Sequence, residues 1–178
     1  MPSKNPMITL TWLEVEQVAI AGCLRQINNF KHKRNSLHNP ETSYGWDINI
    51  EGAGAEFGWA KLCDKFWDSV VEDPFKLKGD VGRVQIRSTT LASGNLIMHD
   101  KDMDEAPFVL CLGKIPTFEY VGWIRGREGK KMEYWKRNEK FKNGGAYFVP
   151  QKALFPIEDL IREATFKEPV DDWKFKSS

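Results

Sequence analysis

Residues 80–90 read Asp80-Val81-Gly82-Arg83-Val84-Gln85-Ile86-Arg87-Ser88-Thr89-Thr90. Side chains of a strand alternate between its two faces, so Val84 and Ile86 point into a core while Gln85 and Arg87 leave from the other side. Asp80 precedes this pair by five and seven residues, at the mouth of the strand. Gly82 permits a bend that swings Asp80 onto the side of Gln85 and Arg87. An acid at a strand mouth and two polar side chains on one face mark a candidate site.

Upstream, a helix is expected from about Glu51 to Asp68, opened by Gly52, Ala53 and Gly54. At 100° per residue, Trp59, Ala60, Leu62, Cys63, Phe66 and Trp67 share one arc, and Lys61, Asp64, Lys65 and Asp68 the opposite one. Glu56 falls inside the apolar arc. A carboxylate facing a core is costly unless it is paired or bound to a metal, which makes it a site candidate. The alternative is a buried Glu paired with a structural Arg.

Taken together, Glu56, Asp80, Gln85 and Arg87 resemble the motif of the PD-(D/E)XK nuclease superfamily. That motif has an acid on the first core helix, then an Asp, then an acid or Gln, a spacer and a Lys. The resemblance covers about Glu51 to Ile124. The run Gly-Ala-Gly-Ala-Glu-Phe (52–57), the short Asp-to-Gln segment and the later Val-Gly-Trp-Ile (121–124) are similar to small phage or mobile-element members. The resemblance implies a restriction-endonuclease-like core and a metal-dependent nuclease acting on DNA. Glu56, Asp80 and Gln85 would hold Mg²⁺ or Mn²⁺, and Arg87 would complete the catalytic set.

The chemistry accounts for these residue types. A divalent metal lowers the pKa of its water and clamps phosphate oxygens, and Mg²⁺ takes hard oxygen ligands while keeping several waters. Arg87 stands where the motif has Lys. A guanidinium stays protonated, so Arg87 would stabilise charge rather than act as a base. Gln85 in place of Glu removes one negative charge and weakens metal binding. Glu51 ranks second to Glu56 as the helix ligand. A catalytically silent nucleic-acid-binding relative is the first alternative. The second is a protein-binding factor that sets aromatic surface near Trp135 or Trp173 against a host or virion protein.

Around this centre, Thr11 is expected to cap a helix reaching about Asn28, with Glu14 completing a capping box. The apolar residues of that helix wrap most of the way round, predicting burial on several sides. Strands are expected at 81–88, 96–99, 108–112, 118–124 and 146–149, and a last helix begins near Pro156. The pattern is a single α/β domain over residues 1–178, with a mixed sheet flanked by helices.

The chain has 178 residues, with 26 Lys plus Arg against 25 Asp plus Glu, so overall charge names no partner. Local charge is more informative. Arg25, Lys31, Lys33 and Arg34 lie in a stretch to Pro40 without an acid, either a solvated connector or a phosphate-facing patch. Residues 125–145 are expected to form a basic loop with eight Lys plus Arg and three Glu. Its Arg125, Arg127, Lys130, Lys131, Lys136 and Arg137 alternate with Tyr134, Trp135 and Phe141. Cations mixed with aromatics suit phosphate neutralisation and base stacking, and a solvated loop would look similar.

Three Cys without a CxxC argue against disulfides or a zinc ribbon and for buried free thiols. No stretch approaches a membrane span and no export signal is visible, so a reducing cytoplasm is expected. A homodimer would suit a nuclease of this size, although no residue pattern marks an interface. Asp100, Asp102 and Asp104 alternate as in a calcium loop, but Glu105 and Cys111 occupy the Gly and bidentate Glu positions. His32, His38 and His99 lack metal spacing.

Overall fold

The computed structural model describes residues 5–32, 44–69, 80–139, 141 and 144–166. The chain is a mixed α/β fold with two sheets. Strand β1 is Met7–Thr9, followed by helices α1 (Trp12–Lys31) and α2 (Tyr44–Leu62). Strands β2 (Gln85–Thr89), β3 (Leu96–Met98), β4 (Pro107–Lys114) and β5 (Thr117–Arg125) come next. A short helix α3 (Gly126–Gly129), β6 (Trp135–Arg137), β7 (Gly145–Val149) and α4 (Ile157–Phe166) complete the order.

The larger sheet runs β1-β5-β4-β2, with β2 parallel to β4 and the other pairs antiparallel. The smaller sheet, β3-β7-β6, is antiparallel. Strand β4 reads as a near-continuous apolar run because it is covered on both faces. Val109 and Cys111 pack toward the helices with Trp59, Ile86 and Leu160, whereas Phe108 and Leu110 pack toward Leu96, Met98 and Val149. A bulge at Val121, between Leu110↔Gly122 and Cys111↔Tyr120, shifts the phase of β5. Phe118 and Tyr120 therefore face the helices and Ile124 faces the second cluster.

The expected capping box is present: the Glu14 amide donates to Thr11 Oγ1 at 3.3 Å and the Thr11 amide to Glu14 Oε2 at 2.7 Å. Three further expectations need correction. Helix α1 is buried on one side only, with Leu13, Ile20, Leu24 and Ile27 exposed, because α2 covers just the face bearing Val18, Ala21 and Gly22. Helix α2 begins and ends earlier than expected. Asp64 takes φ 51° and Lys65 N–H bonds back to Ala60 O at 2.8 Å, a left-handed stop that leaves Phe66 outside the helix and exposed. Residues 125–145 are not a plain loop, since α3, a 3₁₀ turn at Met132–Tyr134 and β6 occupy much of the stretch. Backbone pairing with β7 organises it.

Candidate functional site

The site begins with how closely α1 and α2 approach. A methyl group on Gly22 would sit 2.5 Å from Ile50 Cα, so only glycine admits the second helix at that depth. The helices run antiparallel, with Gly45 beside the Gln26 side chain and Lys61 bonded to Glu14 at 2.9 Å. In this interface the Arg25 guanidinium grips Glu56 with both arms, Nη1 to Oε1 at 2.8 Å and Nη2 to Oε2 at 2.6 Å. The Trp67 indole N–H adds a 3.4 Å bond to Glu56 Oε2, and its ring meets Phe57 edge-on at 5.3 Å.

Glu56 thus points inward, as its place in the apolar arc requires, and it is 9% exposed. Burial works against the charge on Arg25, but the Glu56 bonds and the fields of Glu56 and Asp80 outweigh it and raise its pKa. Asp80 is held at the mouth of β2. Its backbone N–H donates to Val84 O at 2.8 Å, and its Oδ2 accepts the Ile86 amide at 2.7 Å. Residues 81–84 close a tight turn with Gly82 at φ 61°. Asp80 is thereby anchored to the residue between Gln85 and Arg87.

Gln85 and Arg87 face elsewhere. In register, Gln85 lies beside Phe108 and Arg87 beside Leu110, whereas Ile86 lies beside Val109. The first two positions belong to the face bearing β3 and β7, and Ile86 to the helix face. Arg87 Nη2 meets Asp102 Oδ1 at 3.2 Å, with its Cζ 5.4 Å from the Phe108 ring centre.

Arg87 belongs to a second polar cluster that sequence reasoning missed. Asp102 Oδ2 accepts the His99 amide at 2.9 Å. Lys130 Nζ donates to the carbonyls of Asp102 at 2.7 Å and Asp100 at 3.3 Å, and it pairs with Asp104. Tyr147 Oη donates to Asp100 Oδ1 at 3.1 Å. The alternating acids of 100–104, rejected as a calcium loop, thus hold a guanidinium, an ammonium and a phenol. The density of acids around Asp102 was the available signal.

Among the described residues, no three His, Cys, Asp or Glu side chains form a metal-holding group. Mg²⁺ is commonly held by one or two carboxylates together with substrate phosphates, and of the expected ligands Glu56 has both oxygens on Arg25 and Asp80 has Oδ2 on the Ile86 amide. Gln85 lies on the sheet face away from the helix that carries Glu56. Glu51 is engaged elsewhere, its Oε2 accepting the Ile115 amide at 2.9 Å.

The basic residues divide by environment. Arg25 and Lys130 are half-buried and bonded internally. Arg125 donates to Glu105 O at 3.1 Å and Arg127 to Glu105 Oε1 at 3.0 Å. Lys31, Lys131, Lys136 and Arg137 are exposed, and Lys136 Nζ lies 5.6 Å from the Phe148 ring centre. Lys33 and Arg34 lie outside the described residues. Cys23 is half-buried, while Cys63 and Cys111 are buried free thiols. Among the described residues, no helix is long and apolar enough to cross a membrane. No protein-family model, no curated protein and no solved structure matches this chain.

Proposed function

We propose that this chain is a metal-dependent nuclease that hydrolyses DNA phosphodiester bonds on a restriction-endonuclease-like core. One observation supports the reading: the two acids at the motif positions are both held in place, Glu56 buried on α2 and Asp80 fixed at the mouth of β2 by the Ile86 amide. Bound Mg²⁺ or Mn²⁺ would supply water activation and neutralise phosphate charge. The Ile86 amide fixes the Asp80 carboxylate at the strand mouth, and Trp67 and Arg25 fix that of Glu56. Arg25, paired with Glu56, would take the electrostatic part that motif spacing assigned to Arg87. Exposed Lys31, Lys131, Lys136 and Arg137 would bind backbone phosphates, with an affinity that falls steeply with salt.

A second reading, a nucleic-acid binder without cleavage, is favoured by the saturation of Glu56, since both its oxygens already accept from Arg25. Incubating single- and double-stranded DNA with Mg²⁺ or Mn²⁺, for the wild type and Asp80→Ala, separates the two. Metal-dependent cleavage lost in Asp80→Ala supports the nuclease. Salt-sensitive binding without cleavage supports the binder, and absence of both removes the nucleic-acid reading.

A further inference from the structure

The smaller sheet has two unlike faces. Leu96, Met98 and Val149 point into the core. Alternation along the strands therefore sends Ile97 of β3, Ala146 and Phe148 of β7, and Lys136 of β6 to the other side. Phe141, in the connection between β6 and β7, folds back onto this side, where its ring meets Phe148 at 6.1 Å and His99 at 5.5 Å. The Lys136 ammonium lies 5.6 Å from the Phe148 ring centre. Ile97, Phe141 and Phe148 belong to neither core cluster, and Phe148 and His99 are half-buried. The central strand thus presents an aromatic ring, buttressed by Phe141 and bordered by a cationic edge strand.

We propose that this face binds single-stranded nucleic acid, with a base stacked on Phe148 and the adjoining phosphates on Lys136 and Arg137. Charge and ring chemistry select this occupant together. Over residues 130–142, Lys130, Lys131, Lys136, Arg137, Lys140 and Lys142 face only Glu133 and Glu139 in number, and Lys136 and Arg137 stand exposed on the edge strand. The acids that follow β3 are already engaged, Asp102 by Arg87, Asp104 by Lys130 and Asp100 by Tyr147. The charge left open is cationic, which suits a polyanion. A ring on a sheet surface takes up a base through its π-face, and a base offers that face only outside a duplex. A base arriving on Phe148 releases the Lys136 ammonium to the phosphate, exchanging a weak exposed cation–π contact for stronger base stacking. Bonds from the Asn138 amide to Gly144 O and from the Gly144 amide to Phe141 O, both 2.8 Å, hold Phe141 against this ring, so the platform is preformed. The inference rests on the reading that the chain binds nucleic acid, and not on cleavage at Asp80.

Fluorescence anisotropy of the full chain tests it, with a labelled oligothymidylate of about 16 nucleotides and its duplex with oligodeoxyadenylate, in EDTA so that cleavage plays no part. The wild type is expected to bind the single strand about tenfold more tightly than the duplex, with an affinity that falls steeply between about 50 and 200 mM salt. Phe148→Leu keeps the apolar bulk and loses the π-face, so it should weaken single-strand binding by about tenfold and leave duplex binding unchanged. Phe148→Tyr should bind as the wild type does. Circular dichroism checks that both variants are folded. Lys136→Ala, at an exposed position, tests the edge without disturbing packing and should lower the salt slope by about one. Single-strand affinity unmoved by Phe148→Leu, or lost equally in Phe148→Tyr, overturns the platform alone. Equal affinity for strand and duplex overturns the single-strand assignment, and absence of binding to either overturns the nucleic-acid reading together with the platform.

Discussion

Arg25 and Glu56 form a two-armed ion pair across the α1–α2 interface, with bonds of 2.8 and 2.6 Å and side chains 19% and 12% exposed. Removing one member leaves the other charged and largely dry. Arg25→Met or Glu56→Leu alone should therefore cost about 3 kcal/mol, and the double substitution should recover most of that loss. Urea unfolding of the four chains measures the coupling. Additive losses would mean the pair contributes no mutual stabilisation.

Two glycines in neighbouring helices should respond oppositely to alanine. On Gly22 a methyl group would lie 2.5 Å from Ile50 Cα, while on Gly52 it would meet nothing within 4 Å. Gly22→Ala should destabilise by about 2 kcal/mol through forced separation of the helices. Gly52→Ala should stabilise by roughly 0.5–1 kcal/mol through helix propensity alone. Thermal melts of both variants decide this, and equal signs would contradict the packing described.

The thiols make stability sensitive to alkali. Burial pushes the Cys63 thiol from 9.0 up to about 12, and burial likewise raises Cys111. Between pH 9 and about 12 the unfolded chain loses the Cys63 proton while the folded chain keeps it. Ionisation then favours unfolding, so stability falls as pH rises, by up to about 1.4 kcal/mol per pH unit for this group. Cys63→Ala should flatten the slope. In native protein at about pH 8, a thiol reagent should label half-buried Cys23 first and leave Cys63 and Cys111 unlabelled until unfolding.

Arg87 and Asp80 should separate stability from chemistry. Asp102→Ala removes the acceptor for both Arg87 and the His99 amide. It should cost roughly 1.5–3 kcal/mol and speed hydrogen exchange over residues 99–105. Any DNA cleavage should survive it within a few-fold at temperatures where the variant is folded. Asp80→Asn should change stability less and abolish cleavage. Loss of cleavage in both variants at matched folding would return Arg87 to the catalytic set.

Much of the local structure was legible in the sequence. Thr11 and Glu14 announced the start of α1 because a capping box is made within four residues. The alternation around Ile86 and the run from Phe108 to Leu112 announced β2 and β4, and Glu56 declared itself by standing among apolar neighbours. The end of α2 was harder to read, since Phe66 and Trp67 continue its apolar arc and only the left-handed turn at Asp64 breaks it. Strand β1, Met7–Thr9, owes its existence to pairing with Thr117–Glu119, and three residues carry too little periodicity to show it.

Residue type and spacing along the chain specify the kind of residue at each place: a buried acid on a helix, an acid at a strand mouth, and two polar side chains on one strand face. Tertiary structure alone decided which of these meet. Helix α1 passes within glycine distance of α2, so Arg25, read from sequence as a phosphate contact, neutralises Glu56 instead. The parallel register of β2 on β4 sends Gln85 and Arg87 to the opposite side of the sheet, where Asp102 receives Arg87. Spacing along a chain determines the face of an element, whereas a charge finds its counter-charge through contacts that only packing creates.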